Sequence, residues 1–396
     1  MRVLNVIPGI APRYGGPSRA IVDMSLALST IGIESLIATT DADGPSRLSV
    51  ELGRPIMYQN TATIFFSRQI SEAFKYSYPM ARWLSANVRR FDLVHIDALF
   101  SHSSVAAARA CRRAGIPYLI RPLGSLSCWS LRHKPLRKKI LLRLQVMPML
   151  RGAAAIHYTT DEERMQAESI LSLGRGVIVP LGVDDRSGCA SMPLAGCPKL
   201  ASAVGDHPYV LVLSRLHPVK GLETFLKVFV AVTSRPALQH WRVIVAGAGA
   251  PGYTATLQRF TKSLAGHERV QFVGWLNDTE KNLALQHAAL LALPSLHESF
   301  GLAAVEAMAF GVPVLISSAV NLAKDVSEFD AGWITPLGEL DMTATLLAAL
   351  SSRQERQSRG AAAKALAAAR YCWPAVAQQL ARLYRSIVDR PAHCAR

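Results

Sequence analysis

Short apolar runs recur along the chain and alternate with segments whose apolar residues return every three or four positions. VLNVI (3–7) leads through a loop with two adjacent glycines into PSRAIVDMSLALSTIG (17–32), where Ile21, Met24, Leu28 and Ile31 share one helical face. Pro17 in the first turn and Gly32 after the last act as start and stop signals. SLIATT (35–40) follows, which makes the opening a strand, helix, strand unit. The alternation continues through FDLVHID (91–97), SSVAAARACRRAG (103–115), IPYLIRP (116–122) and AAAIHYTTDEERMQAESIL (153–171). In the last segment Thr160 and Glu163 have capping-box spacing, so both are read as helix punctuation.

After VIVPLGVDD (177–185) the periodicity stops in RSGCASMPLAGCPKLASAVGDHP (186–208), rich in Pro, Gly and Ser. A second alternating series starts at YVLVLSRL (209–216) and runs to GWITP (332–336). The expectation is an α/β protein with two Rossmann-like, doubly wound domains facing across a cleft. Residues 1–190 form the first domain, 191–206 a linker, 207–370 the second, and 371–396 a tail helix returning to the first. Parallel strands buried on both faces explain why the runs are continuously apolar.

The length, 396 residues, suits two domains. Mean hydropathy is only +0.19 and no apolar run approaches the roughly 20 residues of a spanning helix, so a cytoplasmic protein is expected. Six cysteines are scattered without C-x-x-C pairs or histidines at ligand spacing, which favours structural thiols and predicts no metal site. Net charge is +16. WSLRHKPLRKKILLRLQVMPMLRG (129–152) has no acidic residue and interleaves Leu136, Ile140, Leu141, Leu144 and Met147 with cations. It reads either as an amphipathic helix for an anionic membrane surface or as a solvated helix face. Aromatics are 7% and do not interleave with the basic run, so nucleic acid is not expected as a partner.

GAGAPG (247–252) has G-x-G-x-x-G spacing after a strand, but Pro251 intrudes and the next strand, VQFVGW, ends without an acid to grip a ribose. A turn is the better reading. In LSRLHPVKGLETF (213–225), Arg215 and Lys220 follow a strand and precede a helix, where two cations can neutralise a diphosphate or simply be solvated. LPSLHESFGLAAVEAMAFGVPVLIS (293–317) places Glu298 and Glu306 around a predicted helix start, with the amides of Phe300, Gly301 and Leu302 available to a phosphate. Gly301 allows close approach. The two carboxylates either hold hydroxyls on either side of a bound diphosphate or merely complement the helix dipole, worth about 0.3 to 1 kcal/mol.

HESFGLAAVEAMAFGVPVL with its E-x(7)-E spacing, SRLHPVKGLE, VIVAGAG, VQFVGWL, IVPLGVD and the N-terminal YGGPSRAIVDMSLAL together resemble the retaining glycosyltransferases of family 4, which have the GT-B fold. The resemblance runs in family order from about residue 2 to YCWPAVAQQLARLY and includes bacterial surface-polysaccharide enzymes. It implies an acceptor-side first domain and a second domain that binds a UDP- or GDP-linked sugar as donor substrate, with no bound cofactor or metal. Glu298 would contact the donor sugar, Glu306 the ribose, and Ser299, Phe300, Gly301 and Leu302 the phosphate and sugar region. Arg215 and Lys220 would stabilise the departing diphosphate, and the Gly15-Gly16 loop would approach it. Many members read H-x-H where this chain has His95 and Asp97 in DLVHIDALFSH, so Asp97 is expected to hold a donor or acceptor hydroxyl, with His102 as another candidate. The implied activity is transfer of a hexose to a glycan acceptor, lipid-linked, in exopolysaccharide, capsule or lipopolysaccharide synthesis, on the inner face of the cytoplasmic membrane. A nucleotide-sugar epimerase of the same fold is the alternative.

Overall fold

The computed structural model describes residues 1–70, 72, 74–127, 129–130, 140–171, 173–186 and 193–389. The chain forms two compact units: Met1–Gly182 with the chain from Trp373 onward, and Val183–Cys372.

The first unit is built on eight strands: β1 (Arg2–Val6), β2 (Glu34–Thr40), β3 (Pro55–Tyr58), β4 (Thr61–Phe66), β5 (Leu93–Asp97), β6 (Tyr118–Arg121), β7 (Ala155–Tyr158) and β8 (Gly176–Ile178). Their order is β8-β7-β6-β5-β1-β2-β4-β3, and only the β3–β4 hairpin is antiparallel. Gln59 and Asn60 both have positive φ in its two-residue turn, the geometry that matches strand twist. On one face lie α1 (Gly16–Thr30), with Ile21, Met24 and Leu28 fully buried as the periodicity predicts, and the C-terminal helix Trp373–Val388. Val376, Leu380, Tyr384 and Ile387 of that helix enter the same core as Val3, Ile37 and Phe65. The other face is covered in part by α2 (His102–Ala114) and α3 (Asp161–Glu168). With both faces covered, every β1 residue after Arg2 is buried.

The second unit holds six parallel strands: β9 (Tyr209–Leu213), β10 (Arg242–Ala246), β11 (Val270–Gly274), β12 (Leu290–Leu293), β13 (Val314–Ser317) and β14 (Gly332–Thr335). The order is β11-β10-β9-β12-β13-β14. The chain therefore winds outward from β9 in one direction and from β12 in the other, and their carboxyl ends form the topological switch point where such sheets bind ligands.

Two expectations need correction. The units divide at Gly182/Val183, and part of the expected linker is folded: Leu200 and Val204 of the helix Pro198–Val204 are buried, and Lys199 bonds to the Trp275 carbonyl and to Glu280. Thr160 and Glu163 make only half of a capping box. The Thr160 hydroxyl accepts from the Glu163 amide at 3.1 Å, but the Glu163 carboxylate accepts from the Thr159 amide and hydroxyl and the Gly124 amide, all within 2.8 Å. Those neutral donors satisfy a carboxyl group that burial would otherwise leave costly.

Cys111 and Cys197 are buried free thiols and Cys372 a half-buried one, while Cys128, Cys189 and Cys394 lie outside the described residues. So do residues 131–139 of the basic segment. In its described part Val146, Met149 and Leu150 are buried, whereas Ile140 and Leu144, one turn apart, are exposed. No helix among the described residues is long and apolar enough to cross a membrane.

Candidate functional site

Residues from separate stretches of the chain are bonded together at the switch point of the second unit. Ser214 and Arg215 follow β9, and residues 294–298 follow β12. The 214–216 turn is braced from behind by the glycines of GAGAPG. The Ser214 amide donates to Ala246, and the Leu216 amide to Ala248 at 2.9 Å. A Cβ on Gly247 would lie 1.9 Å from the Ser214 oxygen, and one on Gly249 2.1 Å from that of Leu216. These glycines admit a neighbouring backbone, which is the physical reason for the G-x-G spacing.

Lys220 ends a short 3-10 turn, and Gly221 follows with φ of 64°. A side chain at Gly221 would strike the Pro294 carbonyl, and the Leu296 amide donates to Val219 at 2.8 Å, so the β9 and β12 loops are bonded together. This brings Lys220 into an ion pair with Glu298, 78 positions along the chain, both side chains being largely buried. The Glu298 backbone is pinned as well, donating to Ala319 and accepting from Asn321. His297 beside it holds its proton less firmly than an ordinary histidine, mainly through burial, with Lys220 adding and Glu298 opposing.

From Gly301, with φ of 92°, the chain enters α5 (Leu302–Ala309); α4 (Asp278–His287) lies before it in sequence. The amides of Phe300, Gly301 and Leu302 donate to no backbone acceptor among the described residues, as the first turn of a helix requires. A Cβ on Gly301 would come within 3.1 Å of Leu293 and 3.3 Å of Val320. Glu306, one turn inside α5, pairs with Lys281 of α4 at 2.6 Å. The two glutamates thus each have a lysine, and the uncapped amides lie between them in sequence. Arg215 is exposed and makes no ion pair among the described residues.

The sequence reading missed Lys281. No spacing rule connects it to Glu306, 25 positions on; only the packing of α4 beside α5 does.

The remaining expected residues belong to the first unit. Gly15, with φ of 74°, caps α1, and Gly16 is its first residue. The turn before it is anchored by Tyr14, whose hydroxyl donates to Glu72 at 2.6 Å while Lys75 sits 4.4 Å from its ring centroid. Burial alone would raise the Glu72 carboxyl, but Tyr14, Lys75 and Arg68 bring it below the ordinary range.

Asp97 is not placed to hold a ligand hydroxyl. It is fully buried at the end of β5, paired at 2.5 Å with Arg121 at the end of β6, and burial makes its proton harder to remove even beside that cation. Strand alternation points it into the core. One oxygen of Asp97 and one nitrogen of Arg121 have no hydrogen-bond partner among the described residues. His102, first in α2, accepts the Ser77 amide on Nδ1 and has its ring centroid 4.2 Å from that of Tyr76.

His95 serves the core instead. The Tyr384 hydroxyl lies 2.8 Å from His95 Nδ1, His95 Nε2 lies 3.2 Å from His157 Nδ1, and His157 Nε2 lies 2.7 Å from the Val179 carbonyl. Burial, then the charge of Arg121, holds His95 well below the usual imidazole range and His157 down to about 3. With both rings neutral only one proton order works: Tyr384 donates to His95, His95 to His157, and His157 to Val179. At the carboxyl ends of β5 and β6, Ala98 and Leu123 have positive φ, a strained conformation for residues with a Cβ. The Gly124 amide next to Leu123 is the one that Glu163 accepts from.

Among the described residues no three His, Cys, Asp or Glu side chains are gathered as a metal site.

Residues 201–366 match the family of glycosyl transferases group 1, and residues 15–182 match the glycosyl transferase 4-like domain. The phosphatidyl-myo-inositol mannosyltransferase of Mycobacterium leprae is 29% identical over 258 residues, 64% of this chain and 61% of that protein. The D-inositol 3-phosphate glycosyltransferase of Corynebacterium glutamicum is 29% identical over 235 residues, 59% and 54% of the two chains. The chain thus spans somewhat more than half the length of these relatives. Among solved structures, Anabaena HepE in complex with UDP and glucose superposes with a TM-score of 0.78 at 20% identity, covering 98% of this chain and 100% of the other. Sucrose-phosphate synthase from Thermosynechococcus elongatus gives 0.76 at 18%, covering 98% of each. At these identities the likeness is one of fold: two Rossmann-like α/β domains of the GT-B type.

Proposed function

We propose, from the match of each half of this chain to a glycosyltransferase family, that it is a retaining glycosyltransferase moving a hexose from a nucleotide diphosphate sugar to a lipid-linked glycan acceptor. The observation that carries the reading is the arrangement at the switch point: Lys220 with Glu298, Lys281 with Glu306, and uncapped amides between the two acids in sequence.

Chemically, the reaction must stabilise negative charge on a departing diphosphate while the anomeric carbon becomes electron-poor. Arg215, Lys220 and the amides of residues 300–302 supply positive charge and donors for the diphosphate. The carboxylate of Glu298 accepts from hydroxyls of the sugar, Glu306 from the ribose diol, and Ser299 lines the sugar region. Lys220 holds Glu298 until a phosphate competes for the ammonium. The leaving phosphate takes the acceptor proton on the same face, which preserves configuration without a protein nucleophile, and the two cations serve where other enzymes use a metal.

The solved relative of this fold that holds UDP supports UDP as the donor carrier, and the relative named for phosphatidyl-myo-inositol supports an acceptor on a lipid. For the membrane, the support is the basic composition of 129–152 with Ile140 and Leu144 exposed at helical spacing. We place the protein in the cytoplasm, peripheral on the membrane, in surface-polysaccharide synthesis.

The test is a thermal-shift panel of UDP, GDP, ADP and their sugars, followed by transfer from the stabilising donor with and without a chelator. Proton NMR of the product reads the anomeric configuration. Stabilisation by one nucleotide family, lost in Glu306→Ala, supports the donor site. If no nucleotide stabilises the folded protein the donor site is refuted, an inverted product refutes retention, and free isomerised sugar without transfer indicates an epimerase. Failure of anionic vesicles to sediment the protein rules out the membrane surface.

A further inference from the structure

The amino-terminal edge of the second unit's sheet, opposite Arg215, Lys220 and Glu298, carries a cavity of about 920 Å3. Its walls include residues that directly precede four strands: Pro208 before β9, Trp241 before β10, Ala289 before β12 and Pro313 before β13. Since all four strands run parallel, these residues share one edge, and none of the carboxyl-edge residues lines the cavity.

The lining is electrostatically one-sided. Arg235, Arg353 and Arg356, with His207 and His240, face a single carboxylate, Asp206. Arg353 is the first residue of α6 (Arg353–Leu366), where the helix dipole already presents positive charge. Arg356 lies three positions on, on the same side of the helix. Its guanidinium sits 4.7 Å from the Trp241 ring centroid and donates to the Ala349 and Leu350 carbonyls at 2.8 Å, which fixes its place. Burial, and then the charge of Arg353, weaken its hold on its proton. The nearby acid that would relieve this crowding, Glu355, is turned to Arg359 at 3.0 Å. Arg235 and Arg353 are exposed and form no ion pair among the described residues.

Three guanidinium groups against one carboxylate give the cavity a positive potential that favours a bound anion. The volume lies within the range of small-molecule sites, and Leu238, Leu347, Leu350 and Pro313 add apolar wall that a bare inorganic anion would not use. We propose that this cavity is a second ligand site, separate from the donor site, that binds a small organic phosphate.

The experiment is isothermal titration of the full chain with glucose 6-phosphate, and separately with inorganic phosphate, at about 150 mM salt to screen loose surface binding. Wild type, Glu306→Ala and the double variant Arg235→Ala/Arg353→Ala are compared. Both replaced arginines are exposed, and unchanged melting temperature of the free double variant confirms its fold. Glucose 6-phosphate should bind wild type and Glu306→Ala alike, bind the double variant at least tenfold more weakly, and bind wild type more tightly than inorganic phosphate does. Equal binding by the double variant, loss of binding in Glu306→Ala, no preference for the organic phosphate, or no saturable heat with wild type would each overturn the proposal. Because Glu306→Ala is scored independently, failure here leaves the donor-site reading standing.

Discussion

The ammonium of Lys281 and the carboxylate of Glu306 are 2.6 Å apart on two helices, α4 and α5, that only the fold brings together. A partly buried pair of this kind orients the carboxylate, and typical pairs near a surface contribute about 1 kcal/mol. Lys281→Met should therefore weaken nucleotide binding about fivefold. Glu306→Ala removes the acceptor itself and should weaken it by roughly ten- to a hundredfold, since hydrogen bonds to charged groups are worth about 1.5 to 3 kcal/mol. Titration with UDP reads both. Unchanged binding in both variants would reduce the pair to a tie between helices.

Arg215 and Lys220 are proposed to act on charge that develops only as the diphosphate leaves. Replacing either by Ala should lower kcat about a hundredfold with much less change in KM. Lys220→Ala also strips Glu298 of its partner, so it should be the more harmful of the two. Steady-state transfer assays separate the parameters, and a rise in KM at constant kcat would assign these cations to binding alone.

For Asp97 the expected loss is of stability. Asp97→Ala leaves the fully buried Arg121 guanidinium unpaired, which should cost about 3 to 5 kcal/mol. The double change Asp97→Leu/Arg121→Met removes both charges and should be markedly less damaging. Urea midpoints test this. If Asp97→Ala kept wild-type stability while losing activity, the residue would return to the ligand site.

The Tyr384, His95, His157 and Val179 chain makes folding sensitive to acid. In the unfolded chain both histidines take up protons near pH 6.5, whereas in the folded protein burial and Arg121 hold His157 at about 3 and His95 well below 6.5. Between these limits the unfolded state binds more protons, so stability rises with pH. The contribution is complete above about pH 6.5 and is lost as pH falls, by up to about 1.4 kcal/mol per unit for each histidine. Asp97 and Glu163, whose protons burial makes harder to remove, act with the opposite sign above the ordinary carboxylate range. The readout is therefore a difference: His157→Gln should flatten the fall in urea midpoint between pH 7 and 5. An unchanged slope would mean that the ring takes up its proton in the folded protein as readily as in the unfolded chain.

Much of the fold was legible because parallel strands and helices of this class bury continuous or periodic apolar faces. VLNVI became β1, and Ile21, Met24 and Leu28 fill the core as a helical stripe must. The placement of Glu298 before a helix start and of Glu306 one turn inside it was legible because capping signals are local in sequence. Asp97 was misread for the opposite reason. A carboxylate at a strand end looks available to a ligand, and nothing in DLVHID announces that Arg121, on the next strand, meets it inside the core. Glu163 has the spacing of a capping box, but its carboxylate found better donors in Thr159 and Gly124, the latter 39 positions away.

By itself, then, the sequence determined the two alternating series, the approximate bounds of elements such as β1 and α1, and which acids, amides and cations lie together in residues 215–220 and 298–306. These follow from periodicity, capping and spacing, which act over a few residues. Only the tertiary structure decided which charges are paired: Lys220 with Glu298, Lys281 with Glu306, Arg121 with Asp97. It alone also closed the His95 chain with Tyr384 and set three arginines around one cavity. Ion pairs and hydrogen bonds depend on distances of a few ångströms between residues 24 to 289 positions apart, and those distances exist only once the sheets have assembled.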